Sequence, residues 1–106
     1  MPLTWPQVLA WRVHQQYLDA PAPADAWPVV ANRLCGLHAQ LMSSAELTLW
    51  VRLAEMPRDL VQTALWEQRG LVKSWATRGT LHLFTATEYP TWQAGLSLYR
   101  HYLQPA

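Results

Sequence analysis

Leu71-Val72-Lys73-Ser74-Trp75-Ala76-Thr77-Arg78-Gly79-Thr80-Leu81-His82-Leu83-Phe84 is the stretch from which the fold can be read. Two extended runs, 71–76 and 80–84, flank Thr77-Arg78-Gly79, whose glycine suits a tight hairpin. Upstream, Leu37-His38-Ala39-Gln40-Leu41 alternates apolar and polar residues with the two-residue period of a half-buried strand. Helical signals fill the rest. Thr4, Ser43 and Thr85 each begin a Ser/Thr-x-x-Glu/Gln pattern, which marks a helix start because side chains at both ends satisfy orphan N–H groups. Asp25 ahead of Trp27-Pro28, and Pro57, mark two more starts.

These signals predict helices over about 4–19, 25–35, 44–54, 57–68 and 87–103. Gly36 and Gly70 stand where left-handed caps are expected, and only Glu55-Met56 separates the third helix from the fourth. From Asp25 the order is helix, strand, helix, helix, strand, hairpin, strand. That is a winged helix-turn-helix with an extra helix at each end, mainly α with a small antiparallel sheet (α+β). The expected division is 1–24 for the first helix and an Ala/Pro linker, 25–84 for the winged helix and 85–106 for the last helix.

The chain has 106 residues, enough for one core. Half of it (51%) is hydrophobic and 14% is charged, which argues against disorder. The net charge is +1 and the pI about 8.0, short of the basic footprint of a free-standing nucleic-acid binder, for which a pI above roughly 9 is the guide. A single Cys35 excludes an internal disulfide and a multi-cysteine zinc site. His14 and His101 lie on separate helices without partners at ligand spacing, so neither metal nor other cofactor is expected. No apolar run approaches the roughly 20 residues of a membrane span, and the expected location is cytoplasmic, with the nucleoid.

Seven tryptophans are unusual in so short a chain. Trp92 falls on a helical stripe with Tyr89, Leu96, Tyr99 and Leu103, and Trp50 on one with Leu47, Leu53 and Ala54, so both are expected in the core. Trp5 and Trp11 belong to a first helix that is apolar nearly all round. Such a helix expects more protein against it, from a second copy or from the rest of a longer chain. In the fourth helix Leu60, Val61, Ala64 and Leu65 form the buried stripe and leave Trp66 outside, beside Arg58, Asp59, Gln62 and Arg69. This face is either the recognition helix of a DNA reader or a solvated, partner-facing surface.

Strand parity places His38 and Gln40 on one face, with Leu37, Ala39 and Leu41 on the core face. It likewise points Thr80 and His82 outward and Leu81 and Leu83 inward. If the first strand pairs with the last, His38, Gln40, Thr80 and His82 share a polar patch near Arg78. From the residues alone this is also the solvated face that any small antiparallel sheet shows.

The runs Arg33-Leu34-Cys35-Gly36-Leu37-His38-Ala39-Gln40, Leu47-Thr48-Leu49-Trp50-Val51-Arg52-Leu53 and Arg78-Gly79-Thr80-Leu81-His82-Leu83 resemble a winged helix DNA-binding domain family. That family includes the DNA glycosylases that unhook interstrand crosslinks. The resemblance implies a catalytic motif of two polar residues flanking an apolar one, commonly Gln-apolar-Gln, which falls here on His38-Ala39-Gln40 with His in the first place. It also implies tandem winged-helix modules, of which this chain holds the first.

The expected function is thus the N-terminal module of a DNA repair glycosylase that hydrolyses the N-glycosidic bond of alkylated purines, the isolated fragment being inactive. Catalytic roles fall on His38 and Gln40, and DNA contacts on Arg58, Gln62, Trp66, Arg69, Lys73, Arg78, Thr80 and His82. Expected partners are duplex DNA, alkylated or crosslinked, and further modules of the same protein or a second copy. The alternatives are a non-catalytic winged helix that binds DNA or protein through Trp66 and its neighbours, and a purely structural module. An N7-alkylated purine already carries positive charge and departs without protonation. A neutral His38 would take a proton from the attacking water while the Gln40 amide oxygen orients it. Activity should therefore fall as pH drops through the ordinary imidazole range, near about 6.5.

Overall fold

The computed structural model describes residues 2–76 and 79–98. Helix α1 (Trp5–Gln15) opens with the reciprocal cap that its sequence announces. Thr4 Oγ1 accepts from the Gln7 N–H at 3.3 Å, and Gln7 Oε1 accepts from the Thr4 N–H at 2.9 Å. No residue of α1 is buried, and Trp5, Leu9 and Trp11 face solvent.

The Ala/Pro segment after α1 is pinned to the body of the protein. The buried Ala22 donates its N–H to the Arg52 carbonyl at 2.9 Å and accepts from the Ala54 N–H at 2.8 Å, forming a bridge to Leu53. A 3-10 turn (Ala24–Ala26) leads into α2 (Trp27–Arg33), with Pro28 in its first turn. The helix ends through Cys35 at φ 62 and Gly36 at φ 98. A Cβ on Gly36 would lie 2.8 Å from Phe84 Cε1, so glycine is required for space as well as for conformation.

Helix α3 spans Met42–Trp50, with Leu41 at its N-cap, so the Ser43 pattern does not cap it. The helix carries two apolar stripes at helical spacing. Ala45 and Leu49 are buried, with Met42 half-buried, whereas Leu47 and Trp50 are 59% and 62% exposed. Trp50 is therefore a surface residue rather than the expected core residue. The sequence offers both stripes, and packing against α2 and β1 selects one of them.

The turn to the fourth helix is longer than Glu55-Met56: residues 51–59 intervene, because Leu53 is buried and held extended against Ala22. Helix α4 (Leu60–Gln62) then runs into a π-helical turn (Thr63–Glu67), in which the Gln68 N–H reaches the Thr63 carbonyl at 2.9 Å. Val61 and Ala64 are buried and Leu60 and Leu65 half-buried, as the stripe predicts. The left-handed cap here is Arg69, at φ 56, and not Gly70. Gly70 supplies room instead, since a Cβ there would lie 3.3 Å from the Trp27 ring.

Three strands, β1 (Leu37–His38), β2 (Leu71–Trp75) and β3 (Leu81–Thr85), form an antiparallel sheet in the order β1-β3-β2. The first strand is shorter than the alternation predicts. The Ala39 N–H still reaches the Leu81 carbonyl at 2.9 Å, but Leu41 turns away and is 67% exposed instead of joining the core face. The core is built from α2, α3, α4 and the inner sheet face, with Val30, Leu37, Leu49, Val61 and Leu83 almost wholly buried. Helix α5 (Tyr89–Leu96) packs on the opposite sheet face, where the half-buried Trp92 stacks on Phe84 at 5.3 Å between centroids. Tyr99 and Leu103, expected on the same stripe, lie outside the described residues, as does Arg78 at the hairpin.

Candidate active site

Register builds the site. His38 pairs with His82, and His82 with Ser74, so the three side chains line up across the strands on the face away from the main core. The parity deduced for His38 and His82 is thus observed. Their rings meet edge to face, with centroids 5.1 Å apart and planes at 87°. His82 stacks on Phe84 at 6.0 Å, and Phe84 in turn meets Trp92 and Tyr89 of α5. The face is therefore a row of rings, roofed by α5 at Phe84 and open at the exposed His38. Ser74 and Tyr89 share a hydroxyl hydrogen bond of 3.2 Å on this face. Sequence reasoning missed both, although Ser74 lies at the parity position opposite His82.

The His82 Nδ1 lies 3.3 Å from the Thr80 carbonyl oxygen and 3.4 Å from Thr80 Oγ1. Gln40 sits where the chain leaves the sheet, and its Oε1 accepts from the Leu81 N–H at 3.1 Å. The side chain thereby replaces the next backbone rung of the ladder. The donor N–H fixes which end of the amide faces the sheet, and the oxygen keeps a second lone pair.

The remaining candidates lie elsewhere. Lys73 pairs with Leu83 and so belongs to the opposite sheet face from His38. It lines a groove with Trp66 and Arg69, while Arg58 lines a different groove with Trp50 and Met56. Gln62 is exposed and lines neither. The expected single recognition face is thus divided: Arg58 lies in the turn ahead of α4 and lines one groove, whereas Trp66 in the π-helical turn and Arg69 just beyond it line another. Arg52 is used structurally: it donates to the Thr48 carbonyl at 3.0 Å and to Gln16 Oε1 at 3.3 Å, and burial lowers its pKa. Among the described residues no group of three or more His, Cys, Asp or Glu could hold a metal, and no helix is long and apolar enough to cross a membrane.

This geometry defines an α+β module of winged-helix-like fold with a histidine pair bridging its first and third strands. Residues 31–103 match the family model of AlkZ-like DNA glycosylases. The chain belongs to that family. It is 42% identical over 88 residues to the interstrand DNA cross-link repair glycosylase of Streptomyces sahachiroi. That alignment covers 83% of this chain and 23% of the relative. The solved structure of S. sahachiroi DNA glycosylase AlkZ superposes with a TM-score of 0.83 at 36% identity, covering 99% of this chain and 28% of that one. The chain therefore spans about a quarter of the length of these relatives.

Proposed function

We propose that this chain is the N-terminal winged-helix module of a DNA glycosylase that hydrolyses the N-glycosidic bond of alkylated purines in duplex DNA, with His38 and Gln40 at the reacting sugar. The observation that carries this reading is the exposed His38 beside a tethered Gln40 at the end of β1. In an N7-alkylated purine nucleotide the C1′–N9 electron pair leaves with the base, which becomes neutral, and the sugar is left as an oxocarbenium ion. Water adds to C1′ and gives its proton to His38, leaving an abasic site. Gln40, fixed through the Leu81 N–H, offers its free lone pair to the same water, and proximity supplies much of the acceleration. Because the target base lies in a duplex, the nucleotide must be extruded or the helix distorted. DNA contacts are assigned to Thr80 and His82 beside the reacting sugar, and further DNA contacts to Arg58, Gln62, Trp66, Arg69, Lys73 and Arg78. Crosslinked duplex DNA is a natural substrate by analogy with the relative's name, and the protein partners are further modules of the same protein or a second copy.

The test is base release from duplex DNA bearing N7-alkylguanine, measured on the full-length protein and on its His38→Ala and Gln40→Ala variants. Release by the wild type that both variants retain would reject the site. A second reading, a non-catalytic module that binds protein, rests on the exposure of Trp5, Trp11, Leu47 and Trp50. It predicts no release from any alkylated substrate.

A further inference from the structure

The groove between the π-helical turn and β2 is lined by Leu65, Trp66, Arg69, Leu71, Val72 and Lys73 and measures about 440 Å³. Small-ligand sites typically fall between about 300 and 1,000 Å³. Its charged lining is cationic throughout. The groove beside Trp50 instead carries Glu46 with Arg58, and the one beside Trp27 carries Asp25 and Asp59. Trp66 is 71% exposed, an indole held in water next to two cations.

An aromatic face beside paired positive charges complements a ligand that is flat at one end and anionic at the other. Building on the DNA-facing reading above, we propose that this groove takes an unpaired nucleotide of a DNA strand, its base against Trp66 and its phosphate between Arg69 and Lys73. The nucleotide is unpaired because a base inside a duplex has both faces stacked on neighbours and offers only its edges. A duplex laid along the whole helix would also bring phosphates onto the exposed Asp59 and Glu67. β2 is an edge strand, so a strand of DNA passes Lys73 without crossing the sheet. Lys73 shares its sheet face with Leu83 and not with His82, which makes this groove separate from the His38 site.

Fluorescence anisotropy of labelled DNA on the full chain tests this, using a short single-stranded oligodeoxythymidylate, an abasic strand of the same length and a blunt duplex. The wild type should prefer the base-bearing strand to the abasic strand by about tenfold, as stacking of a base on an aromatic side chain supplies. Trp66→Ala should erase that preference and Trp66→Phe retain most of it. Arg69→Gln and Lys73→Gln should weaken both strands and reduce the salt dependence. Circular dichroism checks that each variant is folded. Equal binding of the two strands, or a preference that survives Trp66→Ala, overturns the proposal. So does tighter binding of the blunt duplex, which would mark a groove reader, or self-association lost in Trp66→Ala, which would mark a protein contact. None of the probes carries an alkylated base, so absent base release would overturn the glycosylase reading and leave this result standing, and the reverse also holds.

Discussion

His38 and His82 meet edge to face across β1 and β3, ring centroids 5.1 Å apart, and the inner ring of the pair is backed by Phe84 and bonded at Thr80. One imidazole is thus exposed at the end of the row and the other is anchored beneath it. If His38 is the general base, its neutral form is the active one. Imidazolium can neither accept the proton of water nor tolerate a neighbouring sugar cation.

Removal of the base has a stated size. His38→Ala should slow base release by about 10²–10⁴-fold, the usual contribution of a positioned general base, with the melting temperature little changed because His38 is exposed. Single-turnover assays on alkylated duplex read the rate, and thermal unfolding reads the stability.

Gln40 has a structural bond and a proposed chemical one, and the two can be separated. Gln40→Leu frees the Leu81 N–H at an exposed strand end, where water replaces the lost partner. The stability loss should stay below about 1 kcal/mol by urea denaturation. Base release should fall by much more than that loss explains. A fall in proportion to stability would make Gln40 a strand-end residue and nothing more.

Thr85 joins the two sides of the sheet. Its hydroxyl donates to Asn32 Oδ1 of α2 at 2.6 Å and accepts from the Glu88 N–H at 3.4 Å, just ahead of α5, while the residue is 4% exposed. Thr85→Val keeps the shape and strands the Asn32 acceptor, while the Glu88 N–H keeps the Thr85 carbonyl at 3.2 Å. The expected cost is about 1–3 kcal/mol in chemical denaturation.

Two backbone positions should respond in opposite directions. Arg69 occupies a left-handed conformation that favours glycine, so Arg69→Gly should raise stability by up to about 1 kcal/mol. Gly36→Ala combines a strained φ with a contact against Phe84 and should lower stability by about 1–3 kcal/mol. Urea denaturation of both variants checks the pair.

Much of this architecture is legible in local sequence. The capping pair Thr4 and Gln7 needs only neighbours, and the stripe of Val61 and Ala64 needs only helical period. The common face of His38 and His82 follows from strand parity once β1 and β3 pair. Local rules carry this far because they concern residues a few positions apart.

They do not decide which of two equivalent surfaces is covered. Leu47 and Trp50 had the same claim on the core as Ala45 and Leu49, and contact with α2 and β1 chose the second pair. The tether of Gln40 to Leu81 spans 41 positions, and the bridge from Ala22 to Leu53 is likewise invisible to any periodicity. Period and parity therefore set which side chains can stand together. The tertiary packing set which of them are buried, and that Trp66 and Arg69 line a groove with Lys73 of β2, because those outcomes depend on contacts between different elements of the chain.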